Sequence, residues 1–290
     1  MSPSAYTSDR PLTGILLIVA AMTLVPIMDG IAKHLSARYA VTEIVWARYF
    51  FHLLILLPLV LRYHGRRALI LKNPWLQWLR GGFVLSATAL FFAAIARMPI
   101  ADALALVFVS PMIVTVLSAL ILKEQVGPRR WLAVLVGFGG ALIIIRPGIA
   151  GFDLGSLLAL GAGVVYACFI VTTRKLSGSA APLVTLTYTA LVGTLIMSLL
   201  VPWYWQTPQP GDLVLMIGMG AIAAASHFMI IKAFDCATAS LLAPYNYAEI
   251  VMATLVGWLW FGDFPDGWTW CGMAVIVISG FYISLREQRR

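Results

Sequence analysis

The stretch ALALVFVSPMIVTVLSALIL, residues 103–122, lies between Asp102 and Lys123 and contains no charged side chain. A helix needs about 20 apolar residues to cross the ~30 Å hydrocarbon core of a bilayer, so this segment predicts a membrane span. LGSLLALGAGVVYACFIVTT, residues 154–173 between Asp153 and Arg174, predicts a second on the same ground. Working outward, residues 12–34, 42–61, 77–96, 131–146, 213–231, 238–260 and 267–285 read as further spans. The uncharged run from 176 reads as a helix to about 202, where Pro202, Pro208 and Pro210 turn it into an extended connection. The fold class is therefore an all-α membrane protein with ten transmembrane helices. Composition agrees: 61% of the 290 residues are hydrophobic and 11% charged, against roughly 45–50% and 25% in soluble domains.

The formal net charge of +8 raises the question of nucleic acid, which the placement of the basic residues answers. Counted along alternating loops, 15 of the 20 Lys and Arg fall on one side. They are Arg10, Arg62, Arg66, Arg67, Lys72, Arg80, Lys123, Arg129, Arg130, Arg174, Lys175, Lys232, Arg286, Arg289 and Arg290. The other side has Lys33, Arg38, Arg97 and Arg146, while Arg48 falls inside a span. The positive-inside rule then places both termini in the cytoplasm of a bacterial inner-membrane protein, and no nucleic-acid partner is expected. The first apolar segment is too long for a signal-peptide core and is expected to stay as the first span. Cys168, Cys236 and Cys271 have no metal-ligand spacing and read as packing residues, so neither metal nor cofactor is expected.

Shifting the second half back by about 140 residues exposes a weak internal repeat. Gly14-Ile15-Leu16-Leu17 falls on Gly155-Ser156-Leu157-Leu158, and Lys33-His34-Leu35-Ser36 on Arg174-Lys175-Leu176-Ser177. Lys123-Glu124 matches Gly262-Asp263, and Trp131 matches Trp270. Residues 1–148 and 149–290 are thus expected to be two five-helix repeats. Five is odd, so the halves enter the membrane with opposite orientation, and such inverted repeats place binding sites near the midplane where they meet. Small residues four apart, Ala133/Gly137/Ala141 and Ala159/Gly163/Ala167, read as helix-contact stripes that could also serve a homodimer.

This layout, with Ser110-Pro111 leading to Leu122-Lys123-Glu124-Gln125 and then Gly137 to Gly140, resembles the EamA-type drug/metabolite transporters. In that family a short acidic turn of the form Leu-Gly-Glu precedes the last helix of each half. Here the two copies read Leu122-Lys123-Glu124 and Phe261-Gly262-Asp263. The resemblance implies two five-helix repeats around a central cavity and alternating-access transport of a small metabolite across the bilayer.

Ionisable groups at membrane depth are costly and are candidates for function. Glu249 sits in the middle of its span, where a carboxyl could hold a substrate amine or exchange a proton. Tyr245 and Asn246 share its helical face, and Pro244 breaks the helix one turn earlier. The repeat shift sets Phe108 against Tyr247 and Ser110 against Glu249. By the resemblance these helices line the cavity, and Tyr166 takes an aromatic cavity position found in related amino-acid exporters. His227, beside Ser226, could contact substrate or titrate. Asp29 and Arg48 are expected to pair as a gating or structural ion pair, with His52 one turn from Arg48. Arg97 and Asp102 read as solvated residues of a turn. Trp203, Tyr204 and Trp205, and Trp258, Trp260, Trp268 and Trp270, read as interfacial aromatic belts.

The function expected is therefore secondary transport, first of amino acids outward, aromatic ones included. The alternative is uptake of S-adenosylmethionine, riboflavin or a similar metabolite. A membrane enzyme would need a carboxylate-rich motif, a His pair at ligand spacing or an activated nucleophile, and the sequence offers none of these.

Overall fold

The computed structural model describes residues 10–66, 73–121, 123, 126–146, 153–176 and 179–288. Five of its helices begin with a proline at or next to their first position, where the missing N–H costs no hydrogen bond and the fixed φ suits a helix start. These are α1 (Pro11–Leu35), α3 (Pro74–Ile95), α6 (Pro128–Ile145), α8 (Pro182–Leu200) and α9 (Pro210–Cys236). With α2 (Val41–Tyr63) and α7 (Leu154–Lys175) they form seven unbroken membrane-length helices. Pro182 also explains one displaced boundary. The run expected to start a helix at 176 instead caps α7 at Leu176, and the next helix waits for Pro182.

Two spans are broken. The fourth consists of α4 (Ile100–Val107) and α5 (Ser110–Ile121), separated at Phe108 and Val109. The ninth consists of α10 (Ala239–Leu242), a 3-10 turn over Ala243–Tyr247, and α11 (Ala248–Phe261). The chain ends in α12 (Gly267–Gln288). The two breaks fall at repeat-equivalent positions, with Phe108 and Tyr247 each closing the segment before the break.

The packing is that of two inverted repeats. α1 lies along α9 as α7 lies along α3, and α2 packs on α9 as α8 packs on α3. α1 meets α11 as α7 meets α4 and α5, while α2 against α8, α4 against α11 and α6 against α12 are self-paired across the pseudo-axis. The backbone repeats as well. Lys123 (φ 55) and Gly262 (φ 74) occupy the same left-handed turn position, the second copy supplying the residue that pays no steric penalty there. Glu124, the acidic residue of the first copy, lies outside the described residues.

The α6–α12 contact is backbone-close. A Cβ on Gly272 would sit 2.7 Å from the Gly140 carbonyl oxygen, and one on Gly140 would sit 3.0 Å from that of Gly272. The small-residue stripes are used within the chain, with Gly137 against Met112 of α5 and Gly163 against the backbone of Val107. For reference, the first face is the end of the bundle carrying Pro11 and Tyr63, and the second face carries Leu35 and Val41. The belt residues Trp203, Tyr204, Trp205, Trp258, Trp260, Trp268 and Trp270 are all exposed near the second face.

Candidate functional site

The breaks in the fourth and ninth spans bring several expected residues together. The rings of Phe108 and Tyr247 lie 5.4 Å apart between centroids. The Tyr247 hydroxyl donates to the Val277 carbonyl of α12 at 3.3 Å, fixing that ring from behind. Ser110 is buried at the start of α5. Asn246 is half-buried and Tyr245 is 36% exposed. Glu249 stands in the first turn of α11, ten residues into its broken span and so about 15 Å from the first face at 1.5 Å per residue. It is half-buried, forms no hydrogen bond among the described residues, and has the Asp29 carboxyl of α1 as an electrostatic neighbour.

α7 packs against α4 and α5. Tyr166 stacks on Phe169 one turn away, centroids 5.5 Å apart, and lies within electrostatic reach of Glu249 on one side and Arg80 on the other. From α9, His227 has Nδ1 2.7 Å from the Ala223 carbonyl oxygen and its ring stacks on His52 of α2 at 5.5 Å. Both ring nitrogens of His52 are buried without a partner among the described residues, so this histidine is sealed where His227 is not. Glu249 follows Tyr247 in the ninth span and is within electrostatic range of Tyr166, while His227 is joined to α2 through His52. Tyr245 is joined to them by sequence only.

Two expectations about charged residues need correction. Asp29 and Arg48 are electrostatic neighbours but make no direct ion pair, since no nitrogen–oxygen approach within 4 Å joins them. The Arg48 guanidinium donates instead to Thr88 Oγ1 at 3.1 Å and contacts Met28 Sδ at 3.5 Å, and it lies over the Tyr49 ring at 4.9 Å. Helical spacing could not reveal that α3 offers a hydroxyl nearer than α1 offers a carboxylate. Asp102 is half-buried and not fully solvated either, for its Oδ1 is buried in the first turn of α4 without a partner among the described residues. Arg97 is exposed, as expected.

The residue missed altogether is Arg80, which loop counting assigned to the basic surface. It sits in the second turn of α3, 8% exposed. Its Nε donates to Thr173 Oγ1 at 2.8 Å and its Nη1 to Thr189 Oγ1 at 2.7 Å. Its guanidinium carbon lies 4.7 Å from the Phe169 centroid. Its place six residues inside an apolar helix was the available signal. Arg130, in the first turn of α6, is likewise buried.

The second face is tied across the two halves by charge. Lys33 pairs with Asp263 at 2.7 Å, donates to the Met98 carbonyl at 2.9 Å and lies over Phe261. Arg146 pairs with Asp266 at 2.7 Å. Arg38 and the Tyr39 hydroxyl both reach Asp212, at 3.1 and 2.8 Å, and Glu43 accepts from the Gln206 N–H at 3.1 Å. Asp266 lies outside the spans. The Thr269 backbone N–H, which it accepts at 2.8 Å, and the Arg146 guanidinium hold its carboxyl below the ordinary carboxylate range.

Comparison with known proteins bears on what this interior serves. The profile of the EamA-like transporter family matches the chain twice, over residues 12–146 and 153–285. A riboflavin transporter of Vibrio cholerae is 32% identical, covering 97% of this chain and 96% of its own. An S-adenosylmethionine uptake transporter of Rickettsia prowazekii is 27% identical over 96% and 94%. A pseudopaline exporter of Pseudomonas aeruginosa is 29% identical over 94% and 96%. One solved crystal structure superposes with a TM-score of 0.64 at 18% identity, covering 98% of this chain and 99% of its own, which shows a common fold.

Proposed function

The chain belongs to the EamA-like transporter family, a multi-pass membrane carrier of small metabolites, and from that premise we propose that its cargo is a planar heterocyclic metabolite of the flavin type. The observation that carries this reading is the Phe108–Tyr247 pair at the two helix breaks, together with the stacked Tyr166 and Phe169 on α7, the helix packed against α4 and α5. Two aromatic pairs suit a flat ring system, because stacked π-faces contribute beyond simple burial. Ser110, Asn246 and Glu249 then supply the few polar contacts that orient it, the usual composition of a small-molecule site. The 32% identity to a riboflavin transporter points the same way.

The second reading is a cationic cargo such as S-adenosylmethionine. It rests on Glu249, which makes no hydrogen bond among the described residues and, beside Asp29 with its Arg48 neighbour, would neutralise a sulfonium or amine. Amino-acid export, the first expectation from the sequence, has no counterpart in the substrates named for these relatives and ranks behind both. Residues 1–148 and 149–290 would rock against each other around the central site, with the first face and both termini in the cytoplasm of a bacterial inner membrane.

The test is uptake into liposomes holding the purified protein, with labelled riboflavin, S-adenosylmethionine and phenylalanine assayed separately. Saturable riboflavin entry, competed poorly by the other two, is expected. Saturable movement of S-adenosylmethionine alone replaces the first reading by the second, and movement of phenylalanine alone restores amino-acid transport.

A further inference from the structure

Arg80 is a permanently charged group 8% exposed inside a membrane helix, and such groups pair with an anion or mark a substrate path. No carboxylate of the described residues forms an ion pair with it. Its two side-chain partners are the hydroxyls of Thr173 and Thr189, which donate their own protons to Phe169 O at 2.7 Å and Thr185 O at 3.1 Å. Each hydroxyl therefore presents a lone pair to the guanidinium and is held in place by its own helix. Phe169 backs the guanidinium plane. The result is a fork fixed by α7 and α8 and left without a counter-charge. Nη2 makes no hydrogen bond among the described residues, yet it is not among the sealed, unpartnered atoms of the interior. Phe169, which backs the guanidinium, stacks on Tyr166 one turn along α7, so the fork adjoins the aromatic pair assigned to the cargo, and Tyr166 and His227 are within electrostatic range of it.

Resting on the reading of the chain as a metabolite carrier, we propose that Arg80 is a substrate-binding residue that takes a pair of adjacent hydrogen-bond acceptors on the cargo. A planar guanidinium matches two adjacent acceptors better than a point charge does. In a flavin the adjacent acceptor pairs are the C2 carbonyl with N1 and the C4 carbonyl with N5, and in S-adenosylmethionine the pair is the carboxylate. The stacked Tyr166 and Phe169 lie beside the fork, so a ring whose carbonyl edge meets Arg80 has an aromatic surface against its face.

The experiment is initial-rate uptake of labelled riboflavin by liposomes containing wild type, Arg80→Gln or Arg80→Lys, with lumiflavin as competitor. Lumiflavin keeps the dione edge and lacks the ribityl chain. A site that hydrogen-bonds its ligand through a charged group loses about tenfold or more in affinity when that group is removed. KM is expected to rise at least that far in Arg80→Gln, with the maximal rate within about twofold, and to rise less in Arg80→Lys. Lumiflavin should compete well against wild type and poorly against Arg80→Gln. If Arg80→Gln fails to insert, Thr173→Val combined with Thr189→Val removes both supports while keeping the charge and should also raise KM. If the wild type moves S-adenosylmethionine instead, decarboxylated S-adenosylmethionine should compete weakly with wild type and equally with S-adenosylmethionine in Arg80→Gln. Unchanged KM in the variants of a transporting protein, or a fall in maximal rate alone, overturns the assignment of Arg80 and leaves the carrier reading standing. A wild type that moves none of these compounds overturns both.

Discussion

The cations of the second face and the cations of the interior are held in opposite ways. Lys33, Arg38 and Arg146 each meet a carboxylate of the other half within 3.1 Å, whereas Arg48 and Arg80 are held by threonine hydroxyls and aromatic faces. The difference is not one of burial. Lys33 is largely buried too, its side chain 16% exposed. A carboxylate facing a cation closes a contact, so the paired set locks the two halves to each other at the second face. A hydroxyl holds a cation without neutralising it, and of the two Arg48 has the Asp29 carboxyl as an electrostatic neighbour, so the proposed charge for an entering cargo is that of Arg80.

The sharpest way to break this distinction is to give Arg80 the partner it lacks. Thr189→Asp places a carboxylate where the hydroxyl now lies 2.7 Å from Nη1, and riboflavin KM should rise more than about tenfold, the cost of losing a charged hydrogen bond to the cargo. Next in size is removal of a lock. Asp263→Asn should increase labelling of a cysteine placed at Met28, behind the Lys33–Asp263 pair, by about fivefold, the equivalent of ~1 kcal/mol for a partly buried ion pair. The exchange Lys33→Asp with Asp263→Lys should restore the low labelling. Asp266→Asn should act in the same direction but by about twofold or less, because that pair is more exposed to solvent. A carboxyl held below its ordinary range contributes above that range and is lost only as the pH falls through the lowered value. The pH profile of transport between 5 and 8 should therefore have the same shape in wild type and Asp266→Asn. The smallest effect belongs to the first face, where Lys232 pairs with Asp235 of the same helix, both half-exposed. Lys232→Gln should leave labelling and transport unchanged within about 1.5-fold, as for most exposed pairs within a helix.

Much of the fold was legible because lipid imposes a simple rule. Every backbone polar group must be satisfied within a helix, so uncharged length becomes span number. The repeat was legible where it fixes backbone, as at Lys123 and Gly262 and at Phe108 and Tyr247. What could not be read was which partner a polar side chain meets once helices distant in sequence are packed. Arg48 turns to Thr88 of α3 and not to Asp29, and Arg80 reaches α7 and α8 across more than ninety residues of sequence. Loop counting also misplaced Arg80, because charge tells which side a loop lies on but not whether the side chain turns inward. The second-face pairs have the same origin, since Lys33 and Asp263 are 230 positions apart.

Counterflow tests the carrier reading most directly. Liposomes holding the protein are loaded with unlabelled riboflavin and diluted into a trace of labelled riboflavin. A carrier whose central site faces one side at a time should accumulate label transiently above its equilibrium level, and the overshoot should shrink in Thr189→Asp. Label that rises monotonically to equilibrium at the same rate in empty and loaded liposomes would contradict it.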